Sequence, residues 1–351
     1  MTEDKEGFLY PHIDKSVCLN CGQCEKVCPV LNEYSGSAKT AYACMNNNTS
    51  NRLAGSSGGV FILLAEYVIK KSGVVFGAAY DDNLNVKHIC ISDIEDIPLL
   101  MGSKYVQSRI DDTYKKAKEY LDTGRLVLFS GTPCQIGGIK AYLKKDYDNL
   151  ILQDIVCHGV PSPLVWQKYL EYQSKIHGAE VCKKTLPNFR NKDSGWKNYS
   201  VSLHFENGEE YISVYKDDLF MKAFLRNLSL RPSCYNCHFK SVKRESDITL
   251  ADFWGADKLV PEMFDDKGIS LVLVNSEKGE MIFKEISSDL NYKEINRDEA
   301  LKYNPSAYTS SNLPKQRRAF MKNIAPGNFR ECVMKYTKGS LIRRVINRFI
   351  T

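Results

Sequence analysis

Cys18, Cys21, Cys24 and Cys28 follow one another at spacings of two, two and three intervening residues, and Pro29 closes the run. No regular helix or strand turns four cysteines toward one point at those intervals. A tight turn does, because two-residue spacers present successive thiolates inward and the longer last gap carries the fourth sulfur away. Gly22 supplies the close backbone approach that such a turn needs. Paired C-x2-C motifs also serve zinc, but a compact run of four ending in Cys-Pro is the pattern that holds a 4Fe-4S cubane. Where a protein carries two cubanes, the fourth cysteine of a run ligates the other cluster, whose remaining ligands come from a second run. No second run exists here, and the next cysteine, Cys44, stands alone. Either all four residues hold one cubane, or Cys28 joins ligands supplied from elsewhere in the chain.

The compartment decides what the remaining cysteines can do. No apolar stretch approaches the roughly 18 residues that span a bilayer; the longest, Val60–Ala65, stops at Glu66. The N-terminus, MTEDKEGF, is acidic and has no apolar leader core. A cytoplasmic protein is expected, with reduced thiols, so twelve cysteines point to metal ligation rather than disulfides.

The net charge of +6 is uneven. Residues 315–351 hold ten basic side chains against Glu331, which puts that tail at +9 and the rest of the chain at −3. Within it Leu341, Ile342, Val345, Ile346, Phe349 and Ile350 recur at helical spacing opposite Arg343, Arg344 and Arg348. A basic amphipathic helix of this kind either stays solvated, or lies on the membrane surface or against an acidic partner. No nucleic-acid-binding motif accompanies the charge, so no nucleic acid is expected as a partner.

The elements predict an α+β to α/β chain in four parts: a ferredoxin-like module over residues 1–34, a linker over 35–57, a mixed-sheet α/β domain over 58–300 and a helical basic extension over 301–351. Residues 58–71, 111–121, 163–177, 217–228 and 278–286 have helical periodicity. Residues 73–80, 88–92, 125–130 and 150–156 read as strands, and their alternation with helices predicts a parallel sheet. Asn207-Gly208 between two alternating segments, 199–205 and 209–214, predicts a hairpin. Residues 247–253 and 269–275 are further strands.

Cys134 and Cys157 each lie just past the C-terminal end of a predicted parallel strand, the sheet edge where α/β proteins place cofactors. With Cys234 and Cys237, a C-x2-C pair in a loop after Pro232, they complete a second set of four ligands. A lone cysteine is more often a small buried hydrophobe, and Cys44, Cys90, Cys182 and Cys332 are taken as that. Cys157-His158 is poor as a nucleophile–base couple, since adjacent residues at a strand end point in opposite directions. Ser56-Ser57-Gly58-Gly59, just before a helix, leaves backbone N–H groups bare for a phosphate. Gly102-Ser103-Lys104-Tyr105 adds a cation, hydroxyls and a ring that can meet the same ligand.

These motifs together resemble the beta-subunit family of coenzyme F420-reducing hydrogenases and dehydrogenases. The resemblance runs through Cys18–Pro29, Ser57–Val60, Gly102–Val106, Gly131-Thr132-Pro133-Cys134-Gln135, Asp154 with Cys157–Ser162, Phe189-Arg190-x-Lys192 with Gly195-Trp196, Arg231–Cys234 with Cys237, and Ser246–Thr249 with Asp252-Phe253-Trp254-Gly255. The C-terminal portion, with Asn304–Ala307 and Arg317–Phe320, looks like bacterial members. The family implies a flavin-binding main domain with FAD near Ser56–Gly59, Gly102–Tyr105 and Thr132. It also implies a cluster on Cys134, Cys157, Cys234 and Cys237, hence two 4Fe-4S clusters, and a redox partner protein, ferredoxin-like or another subunit. Arg190 and Lys192 are either surface cations or face an anionic substrate or cofactor. The expected activity is transfer of electrons between clusters and a hydride-exchanging small molecule or deazaflavin-like coenzyme. A relay subunit with no substrate of its own and a zinc-bound scaffold are the alternatives.

Overall fold

The computed structural model describes residues 1–31, 39–324 and 329–338. The expected amphipathic helix over 341–350 lies outside them. In chain order the strands are β1 (Thr2–Glu3), β2 (Leu9–Tyr10), β3 (Thr40–Asn46), β4 (Val74–Tyr80), β5 (Val86–Ile91), β6 (Val127–Gly131), β7 (Leu150–Ile155), β8 (Asn188–Asn191), β9 (Ser200–His204), β10 (Glu210–Val214), β11 (Ile248–Asp252), β12 (Ser270–Val274) and β13 (Leu290–Ile295).

Eight of them make one sheet in the order β13-β3-β12-β11-β7-β6-β4-β5. Its centre, β4-β6-β7-β11, is parallel, and the remaining pairings are antiparallel. The central strands are nearly all apolar because both faces are covered. Val75, Leu128, Ile151 and Ile248 face the helices Val60–Lys70 and Glu277–Ile286. Val74, Phe76, Val127, Phe129, Leu150 and Leu152 face the helices Thr113–Asp122 and Pro133–Leu143. β8, β9 and β10 form a second, antiparallel sheet. The hairpin expected at Asn207-Gly208 joins its last two strands.

Two expectations change. Residues 40–54, placed in the linker, form β3, between β12 and β13, and a helix, Thr49–Ala54, capped by the Asn48 side chain. Ala41, Ala43, Cys44 and Met45 are all buried in β3. A strand enclosed on both faces loses the alternation by which a strand is recognised, and the polar run after it masked the rest. The C-terminal extension is helical at Arg317–Ile324 and Phe329–Thr337, but it is not a solvated tail. Phe320, Met321, Ile324, Phe329 and Val333 pack into the core formed by Trp166, Tyr169 and Phe220.

The first ten residues are also bound to the main body. Phe8 is fully buried, and Arg317 makes two bonds to the Glu6 carboxylate, at 3.0 and 2.5 Å. Arg231 lies over the Tyr10 ring at 4.3 Å and donates to the Leu9 carbonyl at 2.9 Å. Gly7, at φ +84°, has no room for a side chain, since a Cβ there would meet the Leu164 nitrogen at 2.7 Å.

Phe8→Ala should cost about 3–5 kcal/mol of the docking free energy of this segment. Limited proteolysis should then cut between residues 10 and 31 at a rate at which wild type stays intact. Unchanged protection would show that Phe8 does not hold the segment.

Candidate functional site

The parallel strands bring their C-terminal ends to one edge, and the chemistry-bearing residues leave from there. β6 ends at Gly131, where Thr132 and Gln135 form a capping box on the next helix, with Thr132 N–H donating to Gln135 Oε1 at 2.9 Å. Cys134 is thereby fixed on the helix's first turn, its sulfur 3.1 Å from Thr132 Oγ1. β7 delivers Cys157 two residues past its end. Cys234 stands on the short turn Pro232–Asn236, drawn in by the bridge between Pro161 and Leu230. Gly159, at φ +153°, leaves the space next to the Cys234 Cβ.

Cys134, Cys157, Cys234 and Cys237 come together. Burial raises the Cys134, Cys157 and Cys234 thiols, the last to about 11, and each is affected by the charge of neighbouring cysteines in the group. Lys240 stands among them, its ammonium bonded to the Cys157 and Ser306 carbonyls. No disulfide forms among the described residues. Nor, among them, do three His, Cys, Asp or Glu side chains converge closely enough for a single ion. In the N-terminal run Cys18, Cys21 and Cys24 are exposed and Cys28 is half-buried.

Beside this group lies a cavity of about 550 Å³, within the usual range for cofactor sites. Its floor is the ends of β4, β6, β7 and β11, and Cys157 to Pro161 form one wall. Ser56, Ser57, Gly102, Ser103, Lys104, Tyr105 and Thr132 all line it. The two segments expected to share a ligand do meet, since Ser103 N–H and its hydroxyl donate to Ser56 Oγ at 2.7 and 2.9 Å. Lys104 binds the Met101 carbonyl at 2.8 Å, and burial lowers its ammonium to about 7.

Two residues expected at the ligand stand elsewhere, and the two cations left open between surface and ligand are at neither. Gly58 and Gly59 are not part of the lining. Gly58 is required by packing: a Cβ would lie 2.2 Å from the Cys44 carbonyl oxygen and 2.7 Å from the Ser270 nitrogen. Arg190 is 2% exposed and spends its guanidinium on both Asp252 oxygens, at 2.6 and 3.0 Å, and on Tyr105 Oη at 3.2 Å. Lys192 donates to the carbonyls of Arg52, Ser57 and Lys267 at 2.7, 2.7 and 3.0 Å. Both cations therefore position wall residues, and neither faces the cavity.

His88, Gln153, Asp252 and Asn304 line the cavity and were not expected there. His88 Nδ1 lies 2.7 Å from Ser108 Oγ and Nε2 3.0 Å from the Ser130 carbonyl. The carbonyl can only accept, so Nε2 carries a proton, and burial, which lowers the ring to about 4, favours its neutral form. Asp252 lies in the Asp-Phe-Trp-Gly motif, at the C-terminal end of a parallel strand, and that position was the available signal.

Residues 124–298, about half of the chain, match the family model for the C terminus of the coenzyme F420 hydrogenase/dehydrogenase beta subunit. Residues 10–34 match that of a 4Fe-4S binding domain. Among solved structures, a chain of the xenon-derivatised F420-reducing nickel–iron hydrogenase complex of Methanosarcina barkeri has the same fold. It matches at TM-score 0.52 and 17% identity, over 86% of this chain and 93% of that one. No curated protein sequence matches. No helix among the described residues is long and apolar enough to cross a membrane.

Two measurements check this geometry. Gly58→Ala should lower stability by about 3 kcal/mol or more through the backbone clash, seen as a lower urea midpoint with or without added flavin. An effect confined to flavin binding would return Gly58 to the site. Burial lowers His88 to about 4 from an ordinary 6.5. Between those values the unfolded chain binds the proton and the folded chain does not, so stability is complete above pH 6.5 and falls as pH drops. Wild type should lose about 2 kcal/mol more than His88→Gln between pH 7 and pH 5. Parallel losses would place the proton elsewhere.

Proposed function

Because the chain belongs to the coenzyme F420 hydrogenase/dehydrogenase beta-subunit family, we propose that it is an iron–sulfur flavoprotein oxidoreductase with two 4Fe-4S clusters and one FAD. One observation carries this reading. Cys157 belongs both to the group of four cysteines at the sheet edge and to the wall of the cavity. A cluster on Cys134, Cys157, Cys234 and Cys237 would share that wall with any cavity ligand.

Flavin bound there supplies a centre that exchanges two electrons with a substrate and one at a time with clusters. The chain's own groups do the rest. Ser56, Ser57, Ser103 and Lys104, beside the start of the helix Val60–Lys70, suit the anionic pyrophosphate. Phe61, Tyr105, Tyr199, Phe224, Trp254 and Tyr303 exclude water and offer flat faces. Arg190 and Asp252 fix Tyr105 and the β11 end, so those faces keep their places. The exposed cysteines of the N-terminal run, with Val17 and Leu19 exposed beside them, suit contact with a redox partner protein. The substrate on this reading is a small hydride-exchanging molecule or a deazaflavin-like coenzyme.

Protein purified anaerobically should contain about eight irons and one flavin per chain. Cys134→Ala should retain about four irons and the signature of the N-terminal cluster. Four irons in wild type would remove the second cluster, and zinc with no flavin would leave a scaffold in place of the enzyme.

A further inference from the structure

Asn304 is 4% exposed and lines the cavity, yet its side-chain oxygen has no hydrogen-bond partner. Its Nδ2 donates to the Asp252 carbonyl at 2.8 Å. A carbonyl accepts only, so the amide cannot be turned round, and Oδ1 is the atom left over. Its main-chain groups are used by Leu301 and Ala307. A buried acceptor without a donor is costly and uncommon in folded proteins, so an orphan at a cavity wall calls for an occupant.

The neighbouring carboxylate has capacity of the same kind. Asp252 Oδ1 accepts from Arg190 at 3.0 Å and from Trp196 Nε1 at 3.1 Å, while Oδ2 accepts from Arg190 alone, at 2.6 Å. A carboxylate has about four acceptor positions, so at least one remains, on a side chain that is 18% exposed. Arg190 neutralises its charge, which argues against a metal ion or a cationic ligand at this end. Of the donors close by, Asn304 Nδ2 is committed to a carbonyl and Trp196 Nε1 to the carboxylate, while Arg190 Nε has no partner but does not line the cavity.

We infer that Asp252 and Asn304 form an acceptor pair that reads a hydrogen-bond donor on the cavity's ligand. The inference rests on the flavin reading and sharpens it: the donor is the N3–H of the ring or a hydroxyl of the ribityl chain. Lys104 and the serines would hold the anionic part of the same molecule, so the pair sets which way round the ligand lies.

The test is a binding cycle on cluster-loaded protein with FAD, N3-methyl-FAD and 2′-deoxyribityl-FAD. Wild type should bind one of the two analogues about fivefold to tenfold more weakly than FAD. Asn304→Ala should lose a similar factor for FAD and show no further loss with that analogue, and the analogue that couples identifies the donor. Should Asn304→Ala lose its clusters, Asn304→Leu, which keeps the volume and has no acceptor, takes its place in the cycle. Equal affinity for all three ligands, or losses that add fully for both analogues, would overturn the acceptor pair while leaving the flavin reading intact. No binding of FAD by wild type would sink the flavin reading, and the pair with it.

Discussion

Four parallel strands must all release their chains on the same side of the sheet, and most of the site depends on that constraint. β4, β6, β7 and β11 share one direction, so the residues after each strand arrive at a common edge whatever their distance in sequence. Thr132, Cys157 and Asp252 line one cavity for this reason. A cluster and a cavity sharing one wall is then a consequence of topology, needing only that the loop after β7 be short and contain a cysteine.

The edge is not self-sufficient, because three segments distant in sequence close it. Arg231, at the start of the Cys234–Cys237 turn, also reaches Gln107 and the Leu9 carbonyl. The N-terminal segment and the second cysteine pair therefore share one guanidinium, and displacing either disturbs the other. Residues 303–311 cross from the cavity, through Asn304 and Ser306, to Ser310, whose hydroxyl accepts from Cys237 N–H at 2.9 Å. The helices Arg317–Ile324 and Phe329–Thr337 bury that crossing segment's continuation in the core around Trp166. What looked in composition like a charged appendage is part of the site's frame.

The sheet centre was legible because apolar runs such as RLVLFS and LILQDIV have one use in a chain of this kind, and the cysteines were legible because few side chains bind clusters. β3 was not, since double burial erases alternation and its Ala, Cys and Met residues carry little strand preference. Ser56 and Ser103 were legible as a pair, by residue type alone. His88 was not, because a histidine held between a hydroxyl and a carbonyl has no sequence signal distinguishing it from one in solvent.

The misplaced cations show where residue type stops being informative. Arg190 and Lys192 have the charge that an anionic ligand wants, but charge is equally what a buried carboxylate or three converging carbonyls want. Removing Arg190 would leave the half-buried Asp252 carboxylate with Trp196 Nε1 as its remaining side-chain donor, a loss of up to about 3–5 kcal/mol, more than a single ligand hydrogen bond of about 1 kcal/mol returns. A chain that needs Asp252 at the cavity must therefore commit Arg190 to it first. Ligand recognition then falls to groups that keep some bonding capacity, and those are weak by sequence standards: an asparagine amide, a carboxylate with one acceptor position left and a lysine held by carbonyls.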